Sequence, residues 1–198
     1  MNFLKTIPIL LLLSSAAQAV EYNQVQTAQS ALTFGYRQMG VPLEGKFGKF
    51  AAQIAFDPAK LENARARIDV TLASIDTGST EADEEVVGKK WFNAPSYPLA
   101  SFVSSGIKSL GGNRYQATGR LSIKGRTLDI AAPVTFQSSG SQGIFEGSFS
   151  IKRLAYAIGE GEWTDVSTVA DDVQIKFRLA VSAAPVTPSS TQPSRKKP

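Results

Sequence analysis

From residue 64 onward, apolar and polar side chains alternate with period two along most of the chain. Ala64, Ala66, Ile68, Val70 and Leu72 are separated by Arg65, Arg67, Asp69 and Thr71, the pattern of a strand with one wet face. The same alternation runs through Tyr115 to Ile123, Leu128 to Phe136, Phe145 to Ile151 and Val173 to Val181. Shorter apolar runs at Leu32–Phe34–Tyr36, Phe47 to Phe56 and Leu99 to Ile107 add three more candidate strands. Turns are expected at Gly111-Gly112-Asn113, at Lys124-Gly125-Arg126 and between Ser138 and Gly143. The pattern predicts about eight strands at antiparallel-hairpin spacing, hence an all-β closed barrel or sandwich.

One interruption reads as helix. Thr80-Glu81-Ala82-Asp83 fits a capping box, acids crowd the first turn, and Lys89 and Lys90 stand at the far end, as the helix dipole prefers. Val87 and Trp91 would share a face of it.

Alternation does not say which face is inside. A transmembrane barrel turns its apolar side chains outward. Dense mixed charge on the polar face, the long connection from Ala73 to Pro98 and a Pro/Ser-rich end instead of a final strand favour apolar-inward. The inner face then carries Phe34, Tyr36, Phe56, Phe102, Phe136, Phe145, Phe149 and Phe177, interspersed with Ala66, Ala117, Gly119, Ala132 and Gly147. An eight-stranded barrel either fills itself with side chains or holds one small ligand, and the pattern leaves both open. A cavity with this lining suits a long lipid chain, because each five-carbon isoprene unit contributes roughly 3–4 kcal/mol gross on burial.

The 198 residues contain no His and no Cys, which excludes the usual zinc and haem ligands, thiol chemistry and His-based nucleophile systems. Lys5, the apolar run Ile7 to Leu13 and Ala17-Gln18-Ala19 read as a cleaved secretory leader over residues 1–19. Residues 185–198 hold four prolines and end on Arg195-Lys196-Lys197-Pro198, a composition expected to stay disordered. The folded domain is therefore placed at 20–184. Setting aside Lys5 and the three tail cations leaves 17 Lys+Arg against 17 Asp+Glu. The domain is formally neutral, and the net charge of +4 does not indicate a nucleic-acid surface.

Catalytic motifs are weak. Ser105-Gly106-Ile107-Lys108 matches S-x-x-K without its companion motifs. Gly159-Glu160-Gly161-Glu162 would repel a phosphate, and Asp165, Asp171 and Asp172 lack calcium-loop spacing. No metal site and no catalytic set is expected. Arg37, Lys152 and Arg153, at strand ends, are candidates to meet a lipid head group, or ordinary surface cations.

Six segments together resemble the YceI-like family. They are Ser30 to Phe34 with Gly45 to Phe50; Ala73-Ser74-Ile75-Asp76-Thr77-Gly78; Trp91 to Pro98 with Ala100-Ser101-Phe102; Tyr115 to Pro133; Ile151 to Gly159; and Asp171-Asp172-Val173. Gly159-Glu160-Gly161-Glu162-Trp163 is similar to a subgroup found beside b-type cytochromes of the inner membrane. Ala155 and Tyr156 depart from the Phe that family members often carry there. The resemblance implies an eight-stranded, lipocalin-like antiparallel barrel, export to the periplasm, a bound polyisoprenoid such as a prenyl quinone or prenyl phosphate, and pairing into homodimers. No catalytic residues come with it. Pattern and resemblance together give the expected tunnel lining. Phe34, Tyr36, Phe56, Val70 and Leu72 come from the first half of the chain, and Phe102, Leu121, Phe136, Phe149 and Phe177 from the second. Trp91 and Phe92 are expected to gate one end. The leading alternative is an interaction module that supports an inner-membrane b-type cytochrome or a stress response, without turnover.

Overall fold

The computed structural model describes residues 20–183; the expected leader and tail lie outside the described residues. Among the described residues eleven strands form one sheet. They are β1 (Tyr22–Val25), β2 (Ala31–Gln38), β3 (Val41–Phe47), β4 (Phe50–Ala55), β5 (Arg65–Thr71) and β6 (Ile75–Asp76), followed by β7 (Leu99–Gly111), β8 (Arg114–Ile123), β9 (Arg126–Ser139), β10 (Gln142–Lys152) and β11 (Asp172–Ala183). Every pairing is antiparallel. The order across the sheet is β4-β5-β7-β8-β9-β10-β11-β2-β3-β6, with β1 added on β11.

The eight expected strands correspond to β2, β4, β5 and β7 to β11. The three others are short or lie at an edge. In β3, Pro42 and Gly45 read as turn residues, because Pro removes a donor and Gly a side chain. Pro42 is tolerated because the partner on that side, β6, pairs only with Lys46 and Phe47.

Chain connectivity curls the sheet. β3 and β4 stand at opposite ends of the sheet order, apart from β6, yet only Gly48 and Lys49 separate them. Three peptide steps reach about 11 Å at most, so the two ends must meet. A bridge from Tyr22 to Phe56 brings β1 against the end of β4. The result is a strongly curled, lipocalin-like half-barrel.

The turns follow backbone chemistry. In the β2–β3 and β8–β9 hairpins, Met39-Gly40 and Lys124-Gly125 all have positive φ, as a two-residue type I′ turn requires. The helix α1 (Thr80–Val86) is shorter than expected and its cap differs. Ser79 is the N-cap and makes no side-chain bond. Instead the Asp83 carboxylate reaches back and accepts from Thr77 N and Thr77 Oγ1, both at 2.7 Å. Lys89, Lys90 and Trp91 lie beyond the helix, in a turn-rich segment of residues 87–98.

The apolar face points inward, as expected. One end is plugged by aromatic rings. Phe56 meets Tyr115, Phe136 and Phe145 at centroid distances of 5.2, 4.8 and 5.0 Å, and Tyr22 meets Phe136 at 4.9 Å. These are mostly edge-to-face contacts, the geometry favoured by ring quadrupoles. A second buried cluster around Trp91, Leu121, Ile151, Tyr156, Ile158 and Val169 roofs the other end. Among the described residues no helix is long and apolar enough to cross a membrane.

Candidate functional site: an apolar tunnel with one polar rim

Between plug and roof the half-barrel keeps a cavity of about 720 Å³, within the range of small-molecule sites. It runs beside Val173, Ile175, Phe177 and Leu179 of β11, a stretch of six strand steps or about 20 Å. Ile68, Val70, Phe102, Phe149 and Phe177 face inward yet are only half-buried, because they border this space. Small residues hold it open: Ala66 on β5, and Ala117 and Ala132 directly opposite each other on β8 and β9.

Every exposed residue of the lining falls in one place: Gln38, Leu43, Gly78, Ser79, Glu81 and Glu85. The cavity opens there, between β3 and the segment that leads into α1. Polar side chains gather at the same end, with Thr77 completing the rim and Arg153 in the roof. The rim is acidic. The Tyr36 phenol lines the wall below it and is pushed above its ordinary range, by burial first and by the Asp83 charge second. It stays protonated.

Most of the expected lining is where the alternation placed it. Phe34, Tyr36, Phe56, Val70, Leu72, Phe102, Leu121, Phe149 and Phe177 border the cavity. Phe136 does not. It lies inside the plug, 4.4 Å from the Phe145 ring, because inward-facing positions recur along the whole barrel axis and the plug occupies its far end. Gly119 and Gly147 leave no room either. A Cβ at Gly119 would overlap Val103 O and lie 2.7 Å from Phe102 Cε2, and one at Gly147 would overlap the Phe177 ring. The rings lie across the glycines and so replace the missing side chains.

Trp91 and Phe92 line the roof, but Trp91 is bolted in place. Its Nε1 donates to Glu85 Oε1 at 3.2 Å, and its ring lies 5.3 Å from Trp163. The Arg153 guanidinium stands 5.5 Å from the same ring, a cation–π distance. Lys90 O accepts from Gly159 N and Glu160 N, and Lys90 Nζ pairs with Glu162 at 2.6 Å. The roof is thus two loops sewn together.

The three candidate head-group cations part company. Lys152 is exposed and pairs with Asp172 at 2.8 Å. Arg37 is exposed, lies off the cavity wall and donates to Gly40 O. Arg153 borders the cavity but is 1% exposed. Its Nε donates to Ala170 O, Nη1 to Ile158 O and Gly159 O, and Nη2 to Trp163 O and Val169 O. All five N–H groups are committed to backbone, so Arg153 fastens the roof and has no donor left for a ligand. Burial pulls its pKa below the ordinary guanidinium range, and Asp171 opposes that.

The sequence reading quoted Trp163 within a motif but did not place it on the cavity wall. This ring lines the cavity, and its Nε1 is buried with no acceptor among the described residues. The only sequence signal is a lone Trp in a polar, glycine-rich loop. The weak motifs resolve into structure. Asp165 caps Ser167, Asp171 accepts from Leu154 N, and Asp172 holds Lys152. Among the described residues no group of acidic side chains is placed to hold a metal.

Comparison with known proteins reads on this architecture. The YceI-like domain model matches residues 23–181. The chain belongs to the YceI-like family. A UPF0312 protein of Azotobacter vinelandii is 29% identical over 156 residues, covering 75% of this chain and 81% of the relative. A UPF0312 protein of Pseudomonas syringae pv. syringae is 30% identical over 132 residues, 66% of this chain and 69% of that one. Among solved structures, Burkholderia cenocepacia BcnA superposes with a TM-score of 0.77 at 46% identity, covering 79% of this chain and 99% of BcnA. A polyisoprenoid-binding domain from Saccharophagus degradans shares the fold at a TM-score of 0.60 and 15% identity, over 84% of this chain and 100% of that one.

Proposed function

We propose that this protein is an exported binding protein that holds one long-chain polyisoprenoid in the periplasm and performs no chemistry on it. The observation that carries this reading is the cavity. It is largely apolar along its length, closed by rings at one end, and its charged lining residues, Glu81, Glu85 and Arg153, stand at the other. An elongated amphiphile with a small head group matches that distribution. Each isoprene unit buried contributes about 4 kcal/mol gross, so several units outweigh the ordering cost of binding. The Saccharophagus relative is described as polyisoprenoid-binding, which agrees with this cargo. The sequence leader supports export.

The head group is neutral, of the quinone type. Glu81 and Glu85 border the mouth, and a phosphate there would meet like charge. Arg153, the one cation on the wall among the described residues, is fully occupied by carbonyls.

Titration with a prenyl quinone and with a prenyl phosphate of equal chain length, followed by calorimetry, tests this. The quinone is expected to bind at least about tenfold more tightly. Equal or tighter phosphate binding overturns the head-group assignment. No binding of either overturns the carrier reading and favours an interaction module.

A further inference from the structure

Beside the mouth lies a small apolar surface that nothing in the fold requires. Among the described residues, β3 is paired with β2 on one side, but on the other only Lys46 and Phe47 find a partner. Residues 41–45 are therefore a free edge, and this edge is one lip of the opening. It carries Val41 and Leu43, 56% and 36% exposed, and Leu43 also lines the cavity. Met39 at the hairpin tip is 77% exposed. Met39 N donates to Thr168 O, and Gln38 bridges to Val169. That seats the hairpin beside the segment carrying Val166, which is 53% exposed. Other exposed apolar residues, such as Leu99, Val103, Leu110 and Leu128, are spread over the strands and none lines the cavity.

Met39 is also out of place chemically. Its φ is +51°, at the first central position of a type I′ turn, where Asn, Asp or Gly is favoured. A long apolar side chain in a left-handed conformation, pointed at solvent, is a local cost with no packing return. Arg37, exposed at the hairpin base, adds a cation beside the apolar tip. Across the opening the acidic rim of α1 disfavours an anionic surface.

We propose that this lip docks on a zwitterionic phospholipid bilayer, with Met39, Val41, Leu43 and Val166 entering the interface so that cargo slides between membrane and tunnel without crossing water. The proposal rests on the carrier reading for its purpose. A lipid that crossed water would lose about fourfold in partition for every methylene wetted, which a contiguous apolar lip avoids. The four side chains give reversible attachment and not stable anchoring.

The test uses the exported chain without its leader and vesicles of phosphatidylcholine and phosphatidylethanolamine, with flotation as the readout. Two variants are compared with the parent, Met39→Asn and Met39→Asn/Val166→Asp. Asn suits the left-handed turn, so the first is expected to fold at least as stably as the parent. Both are expected to bind a prenyl quinone delivered in detergent as the parent does. The double variant is expected to float at least about tenfold less and to draw quinone from vesicles correspondingly more slowly. A parent that does not float, or a double variant that floats equally well, overturns the proposal. A parent dimer that the double variant splits also overturns it, by assigning the lip to a second copy of the chain. Failure of quinone binding in detergent by the parent itself would instead sink the carrier reading, while flotation still reports on docking.

Discussion

Replacing Ala132 by Phe should block the tunnel while leaving the barrel standing. Ala132 is 5% exposed, lines the cavity and sits opposite Ala117, so the wall at this level is a single methyl deep on each of two adjacent strands. Phe adds a six-carbon ring, which would occupy the volume of about one isoprene unit. Displacing that unit forfeits about 4 kcal/mol gross at roughly 0.8 kcal/mol per carbon. The lipid can withdraw toward the mouth and recover part of this. A net loss of about 1.4–2.8 kcal/mol corresponds to a ten- to hundredfold rise in Kd. Because the ring enters open space, the usual overpacking cost of about 1–3 kcal/mol should largely be absent, and the urea midpoint should stay near that of the parent. The assay is Trp quenching by a long-chain prenyl quinone, paired with a urea melt. An unchanged Kd in a folded variant would refute the placement of the cargo.

Gly119→Ala should do the opposite: its Cβ collides with Val103 O and the Phe102 ring, so a loss of about 1–3 kcal/mol in a urea melt is expected, and parent-like stability would contradict the ring-over-glycine packing. Arg153→Lys should destabilise by about 3–5 kcal/mol, because one ammonium cannot serve five carbonyls and buried acceptors are left unmade; a melt within 1 kcal/mol of the parent, in round terms, would deny Arg153 its fastening role. Glu160 is held below its ordinary value of 4.5 by the Lys124 hydrogen bond first and its charge second. Its contribution is therefore present above pH 4.5 and lost as pH falls through the lower folded value. Glu160→Gln should lower Tm at pH 7, and the deficit should shrink as pH falls through the lowered folded value of Glu160; a deficit equal at every pH would exclude the ion pair as the cause.

Period-two alternation was enough to read eight strands and their inner face, because a one-residue slip would turn every apolar side chain outward. It could not give height along the barrel axis. Phe136 and Phe149 look alike in the sequence, yet one plugs the end and the other borders the cavity. Nor could it give register between strands, which lays Phe102 over Gly119 and Phe177 over Gly147 and so turns apparent space into filled space. Arg153 reads as a strand-end cation; its five acceptors come from residues 158–170, which only the tertiary fold brings round it. β3 was hidden by Pro42 and Gly45, and with it the lip of the mouth. The acidic run at residues 81–85 was legible as a helix start, while its place at the rim depended on the sheet curling far enough to bring α1 opposite β3.

The most direct test of the carrier reading is native mass spectrometry with lipid extraction, on protein exported in a bacterial host. A discrete added mass that extracts as a neutral prenyl lipid is the predicted result. A clean apo mass, unchanged after incubation with prenyl quinones, would contradict it.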